Sequence, residues 1–241
     1  MNQNHQNSRA CLALPPATIQ TEDGIDHYHN PHPRCPVALL LDTSSSMQGR
    51  PIQELQQGLQ AFFAALAQDE LASLRVDLTA FSFGGIVEQL VPFGATVEGL
   101  ALRPPRLVAN GGTPLGEAVR TAIAAIETRR QVYRDCALAA YRPWAIILSD
   151  GQPDPGWEES AERLQSFARS GWSVLCVGIG DRANLEVLQR FALHPVRRLE
   201  ETQFGAFFAW LSDSLKITSR SHTTAATGAG LPSELPAIAS L

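Results

Sequence analysis

The sequence predicts a doubly wound α/β domain, a three-layer sandwich of about six mostly parallel strands with one antiparallel edge strand and helices on both faces. Three observations carry that prediction. The runs at 37–41, 144–148 and 173–179 are almost wholly apolar, as strands buried on both faces of a parallel sheet are. Segments with apolar residues at helical spacing lie between them. A Gly84-Gly85 pair separates two strand-like runs and marks a hairpin, hence one antiparallel strand.

Residues 1–34 mix Asn, Gln, Pro and His with little apolar periodicity, so a flexible arm is expected there. After the strand at 37–41, Pro51 opens a helix with Ile52, Leu55, Leu59, Phe62 and Leu66 on one face. Residues 75–83 and 86–91 form the hairpin, and the Pro-containing stretch 93–110 is irregular. Thr113-Pro114 reads as an N-cap and first-turn pair for a helix carrying Leu115, Val119, Ala122, Ile123 and Ile126. The strand at 144–148 leads to a helix over 158–170, for which Gly171 is the stop signal. A buried strand at 173–179 ends in a glycine turn, followed by a short helix over 184–191 and a short strand over 196–199. Thr202 caps a last helix with Phe204, Phe207, Phe208, Leu211 and Leu215 on its buried face. The Ser-, Thr-, Ala-, Gly- and Pro-rich residues 218–241 read as a disordered tail, which leaves 35–217 as the folded domain. No internal repeat is present.

A chain of 241 residues with 44% hydrophobic content can bury a large core, and one domain plus tails fits that length. The net charge of −5 provides no basic field for nucleic acid or an anionic membrane. No apolar run approaches the roughly 20 residues that span a bilayer. Residues 1–7 lack the basic start and apolar centre of a signal peptide. None of Cys11, Cys35, Cys136 and Cys176 forms a C-x-x-C pair, so a reduced, cytoplasmic location is expected. His27, His29, His32 and Cys35 cluster near the first strand, but their spacing fits no zinc finger and no second ligand pair follows.

The strand at 37–41 ends in Asp42-Thr43-Ser44-Ser45-Ser46, which delivers a carboxylate and alternating hydroxyls to the C-terminal edge of the sheet. Open α/β sheets bind ligands at that edge. Hard oxygen donors without thiolate or imidazole suit Mg2+, Mn2+ or Ca2+ rather than zinc. Two more segments reach the same edge. Asn110-Gly111-Gly112-Thr113-Pro114 precedes a long helix, and Ile147-Leu148-Ser149-Asp150-Gly151 closes a second apolar strand. Met47, Gln48, Arg50, Asn110, Trp157 and Asp181 lie in loops expected to rim the site. Trp157 is either an interface anchor or a residue packed under the following helix. Arg103 and Arg106 flank Pro104-Pro105 and read as a solvated loop face.

These three segments, in this order, resemble von Willebrand factor A (VWA) domains with a metal-ion-dependent adhesion site, over roughly residues 35–216. The resemblance implies that Asp42, Ser44, Ser46, Thr113 and Asp150 bind a metal ion, Mg2+ above all. It also implies that an Asp or Glu of a protein partner supplies the remaining ligand. Asp42-Thr43-Ser44-Ser45-Ser46-Met47, Gly49-Arg50-Pro51-Ile52, Tyr141-Arg142-Pro143-Trp144 and Ser149-Asp150-Gly151-Gln152-Pro153 are similar to a bacterial cytoplasmic branch typified by TerY-like proteins. That similarity implies an adaptor in stress-response or phage-defence complexes, often encoded beside a protein kinase and a PP2C-type phosphatase. Two positions depart from the pattern. Ser45 stands where Gly is common, and Asp154-Pro155-Gly156-Trp157 follows Pro153 where Thr-Asp is usual.

Enzymatic readings fit less well. An aspartic protease would need a second Asp-Thr-Gly-like loop and a β-rich fold. A phosphotransferase using Asp42 would call for a second Asp two residues on and a later lysine, but position 44 is Ser and the first lysine is Lys216. Gly111-Gly112-Thr113 lacks the lysine of a phosphate loop, and only His194 lies in the folded region for a Ser-His-Asp arrangement. The expectation is a non-enzymatic binding module. An alternative is the same scaffold binding partners through its helical faces or tails, independently of metal.

Overall fold

The computed structural model describes residues 30–200 and 203–220. Six strands form one sheet: β1 (Cys35–Asp42), β2 (Val76–Gly84), β3 (Ile86–Val91), β4 (Trp144–Ser149), β5 (Ser173–Ile179) and β6 (Arg197–Leu199), in the order β3-β2-β1-β4-β5-β6. β1 sits near the centre and pairs in parallel with β2 and β4, while β2 and β3 are the one antiparallel pair. The expected doubly wound sheet with an antiparallel edge strand is therefore present.

All of β1 is buried, and its alternation assigns each side chain to a layer. Val37, Leu39 and Leu41 pack with α1 (Arg50–Ala67) and α7 (Phe204–Arg220); α2 (Glu70–Arg75) and α3 (Val97–Leu102) lie on the same side. Ala38 and Leu40 face the second cluster, formed with α4 (Leu115–Asp135), α5 (Glu158–Arg169) and α6 (Leu185–Gln189). Gly58 lets α1 and α7 meet closely, since a Cβ there would lie 2.6 Å from Cδ2 of Phe208.

Four details of the helices differ from the sequence-based expectation. α2 is a separate six-residue helix capped by Asp69, which accepts from the Ala72 amide at 3.0 Å, so Arg75 is helical rather than the start of a strand. α3 lies inside the stretch expected to be irregular and is capped by Thr96. Both helices are too short to display a 3.6-residue period. α4 begins at Leu115, with Pro114 as the residue before it and no side-chain cap from Thr113. α7 runs to Arg220, beyond the expected boundary at 217; the Thr202 cap lies outside the described residues.

Arg34 is buried among backbone carbonyls. Its guanidinium donates to the carbonyls of Asn30, His32 and Leu74, and its own backbone bridges Ala140. These bonds make Asn30–Arg34 part of the packed body rather than of the expected arm. Cys35 begins β1 fully buried in the core, and burial pushes its thiol up to about 12. His27 and His29 lie outside the described residues.

Candidate metal site

The C-terminal ends of β1, β2 and β4 meet in a plate of loops stapled by backbone bonds. Thr43 donates to the Phe83 carbonyl at 3.1 Å, and Asn110 donates to the Thr43 carbonyl at 2.7 Å. Ser45 donates to Gly111 at 3.0 Å, and Gly85 to Gly112 at 2.9 Å. Glycine is required at the closest contacts. A Cβ on Gly84 would lie 2.2 Å from the Thr43 carbonyl oxygen, and one on Gly111, at φ +68°, would lie 2.5 Å from the Cα of Gly85.

Within this plate the β1 carboxylate, the Ser44 and Ser46 hydroxyls and the Asp150 carboxylate converge. Asp42, fully buried, accepts from the Ser44 amide at 2.9 Å and from the Ser149 hydroxyl at 2.5 Å. The Ser44 and Ser46 hydroxyls are 2.9 Å apart, and Ser46 donates to Asp150 at 2.6 Å. Asp150 also accepts from the Gln152 amide at 3.2 Å. Thr113 is buried in the adjoining loop, where its carbonyl accepts from Asp154 at 2.9 Å. Among the described residues neither Asp42 nor Asp150 has an ion-pair partner. Burial pushes the Asp42 carboxyl up to about 6, against the hydrogen bonds from Ser149 and Ser44, with nearby Asp150 adding to the rise.

The donor set fits a hard divalent cation: every candidate ligand is oxygen, and among the described residues the buried charge has no ion-pair partner. Among the described residues no three His, Cys, Asp or Glu side chains converge on one point, because two carboxylates and three hydroxyls make up this set.

Ser149 escaped the sequence reading as a site residue. It accepts from Gly151 at 3.1 Å while donating to Asp42, and so fixes one carboxylate oxygen. The signal lay in register: Leu41 aligns with Leu148, which puts the next residues, Asp42 and Ser149, side by side. Asp154 was also missed; both of its carboxylate oxygens would lie 2.9 Å from a Cβ on Gly112.

The expected rim divides. Arg50 and Asn110 are exposed, as are Gln48 and Asp181. Met47 does not belong to it, because its side chain is buried in the α1–α7 cluster, where an apolar thioether has lower free energy than in water. Trp157 packs its ring 5.4 Å from that of Phe191 and is half-buried against the second cluster. A groove of about 840 Å3 beside the last turns of α4 is lined by Phe93, Thr128 and Arg129, and none of the five candidate ligands lines it.

The model of the von Willebrand factor type A domain matches residues 37–209. The chain belongs to the VWA family. Such domains are commonly interaction modules built around a metal-ion-dependent adhesion site. Inter-alpha-trypsin inhibitor heavy chain H4 of Sus scrofa is 27% identical over 203 residues, 78% of this chain and 21% of that protein. Heavy chain 4 of Mus musculus is 27% identical over 192 residues, 73% of this chain and 19% of that protein. This VWA chain thus spans only about a fifth of either relative's length.

Among solved structures, the vWF domain of the type V pili tip protein Mfa5 from Porphyromonas gingivalis superposes with a TM-score of 0.64 at 13% identity. That match covers 80% of this chain and 98% of that one. Proximal thread matrix protein 1 from the mussel byssus, with a zinc-occupied MIDAS motif, gives 0.58 at 14% identity, covering 76% of this chain and 48% of that one. At these identities the likeness is one of fold.

Proposed function

We propose that Asp42, Ser44, Ser46, Thr113 and Asp150 hold a divalent cation and that the domain thereby captures an Asp or Glu side chain of a protein partner. Mg2+ is the expected ion, and Mn2+ and Ca2+ accept the same ligand types. The observation that carries this reading is the fully buried Asp42 carboxylate, which has only neutral donors around it and lies beside hydroxyls 2.9 Å apart. A buried charge without a partner is costly, and a bound cation would offset that cost. When bound, the cation supplies Lewis acidity toward an incoming carboxylate. Ser149 and the Ser44 amide orient Asp42, while Ser46 links Ser44 to Asp150. The N-terminus of α4 follows Thr113 and attracts the partner's negative charge.

The domain is accordingly a non-enzymatic adaptor or scaffold. Its similarity to TerY-like proteins supports a cytoplasmic role in a bacterial stress-response or defence complex, with a co-encoded protein kinase and PP2C-type phosphatase as candidate partners. Pull-downs from the native host, with wild type and Asp42→Ala/Ser44→Ala in Mg2+ or EDTA, test the reading. The expected result is a partner lost in both the variant and the chelated samples. A partner that survives both would transfer binding to the helical faces or tails.

A further inference from the structure

The second helical layer leaves part of the sheet uncovered. α4 lies over β1 and β2, and between it and the β2–β3 pair runs the groove of about 840 Å3. Phe81 of β2 and Gln89 of β3, paired across the hairpin, line it from the sheet. Thr121, Ala124 and Thr128, all exposed, line it from α4, and half-buried Phe93 closes one side. Its one charged lining residue, Arg129, is buried and pairs with Asp77 at 2.6 Å. The groove therefore offers apolar surface and hydroxyls to an uncharged occupant.

The described chain begins beside this groove. Asn30 lines a second cavity, of about 220 Å3, that shares Gly94, Ala95 and Arg129 with it. Asn30 is pinned there: its side-chain amide donates to the Leu74 carbonyl at 2.7 Å, and its carbonyl accepts from Arg34 at 2.8 Å. Residues 1–29, outside the described residues, thus join the fold next to the groove. Arg220, at the other end, lines neither cavity and pairs with Asp69 at 2.6 Å. No Asp, Glu, Lys, Arg or His occurs from 10 to 21, and Cys11, Leu12, Leu14 and Pro15-Pro16 form an apolar run there. Sixteen residues separate Leu14 from Asn30, a reach of up to roughly 55 Å. α4 rises only about 12 Å from Thr121 to Arg129, so the chain is long enough to run along the groove.

We propose that residues 11–16 dock in this groove, with Leu12 and Leu14 against Phe81 and Phe93. Pro15-Pro16 favours an extended backbone and removes two N–H groups that would otherwise need partners. The hydroxyls of Thr121 and Thr128 serve the backbone groups that remain. The uncharged run meets a groove whose single charge is already neutralised, so no ion is buried unpaired. Tethering at Asn30 gives the segment an effective concentration of order millimolar, which makes a small apolar contact sufficient. The docking is independent of the metal-site reading.

The test uses the full chain with Cys136→Ser, which leaves Cys11 as the only thiol besides the buried Cys35 and Cys176. Thr128→Cys adds a thiol in the groove, and Arg163→Cys, on the exposed side of α5, is the control. Under mild oxidation with diamide, the intramolecular disulfide to Cys11 is followed by mass mapping. It should form at least about tenfold faster with Thr128→Cys than with the control, and Leu12→Asp/Leu14→Asp should bring it down to the control rate. In the wild-type chain, amides of residues 11–14 should exchange hydrogen at least about tenfold more slowly than in Leu12→Asp/Leu14→Asp. Equal disulfide rates at the two positions overturn the assignment to this groove, and equal exchange in wild type and variant overturns the docking altogether. A disulfide that forms faster between two chains than within one overturns it in favour of a second copy. Slow exchange confined to residues 221–241 overturns it in favour of the C-terminal tail.

Discussion

Two buried aspartates at opposite ends of the sheet show how differently one fold can treat the same side chain. Asp77 lies at the N-terminal end of β2, paired with Pro36 of β1, and Asp42 closes the C-terminal end of β1. Asp77 accepts from the Arg129 guanidinium at 2.6 Å, the Tyr133 hydroxyl at 2.6 Å and the Gly94 amide at 2.9 Å. Its charge is neutralised within the fold, and Arg129 also stacks against Phe93 and Tyr133. Asp42 is at least as deeply buried, yet its bonds come only from a hydroxyl and an amide, and its nearest charge is another carboxylate. The first arrangement is complete without a ligand. The second leaves a buried charge without a counter-ion among the described residues, the physical difference between a structural ion pair and the site proposed to take up a cation.

Substituting each centre should separate them. Arg129→Met leaves Asp77 buried with only the coulombic influence of Arg34 and should cost about 3 kcal/mol in urea unfolding. It should leave Mn2+ affinity of the folded protein unchanged. Asp42→Asn should do the reverse. In EDTA it should be as stable as wild type or more so, because a desolvated charge is removed. With Mg2+ at a hundredfold excess over its dissociation constant, wild type should gain about 2.7 kcal/mol and Asp42→Asn nothing. An Asp42→Asn protein that is destabilised in EDTA as strongly as Arg129→Met would show that Asp42 is structural.

The plate that carries Asp42 can be disturbed without touching a ligand. Gly84→Ala places a methyl where the Thr43 carbonyl lies, 2.2 Å away, so one of the two loops must move. The expected cost is about 1–3 kcal/mol, smaller than that of breaking the ion pair, together with weaker Mn2+ binding. Unchanged Mn2+ affinity in that variant would mean that the hairpin turn does not position the metal loop.

Most of this comparison was legible in the sequence on one side only. Asp42, Ser44, Ser46, Thr113 and Asp150 announce themselves because each stands where an apolar strand stops or a glycine loop meets a helix. The strands were legible for the same reason: uninterrupted apolar runs have few alternatives in a parallel sheet. The Asp77–Arg129–Tyr133 cluster was not. Its members are 52 and 56 residues apart, and only the packing of α4 onto β2 brings them together. Met47 was assigned to the rim from its place in the loop, whereas the 3-10 turn Ser45–Met47 directs it inward. α2 and α3 stayed hidden because six residues give too few turns for periodicity, although their caps at Asp69 and Thr96 were present in the sequence.

The smallest effects should come from the two hydroxyls that play matching parts at the two aspartates. Tyr133 donates to Asp77 at 2.6 Å and Ser149 donates to Asp42 at 2.5 Å. Burial pushes the Tyr133 hydroxyl up, so it remains a donor at neutral pH. Tyr133→Phe leaves Arg129 in place and should cost about 1.5–3 kcal/mol, the loss of a bond to a charged group, with no change in metal affinity. Ser149→Ala should cost only about 1 kcal/mol in EDTA, because the Ser44 amide still donates to the carboxylate. Its effect should appear with metal instead. A carboxylate no longer held in one orientation binds the ion less well, and Mn2+ affinity should fall at least about tenfold. Calorimetric titration of both variants reads the contrast directly: if Ser149→Ala lowers stability but not Mn2+ affinity, Ser149 belongs with Tyr133 as a purely structural donor, and the two ends of the sheet are alike after all.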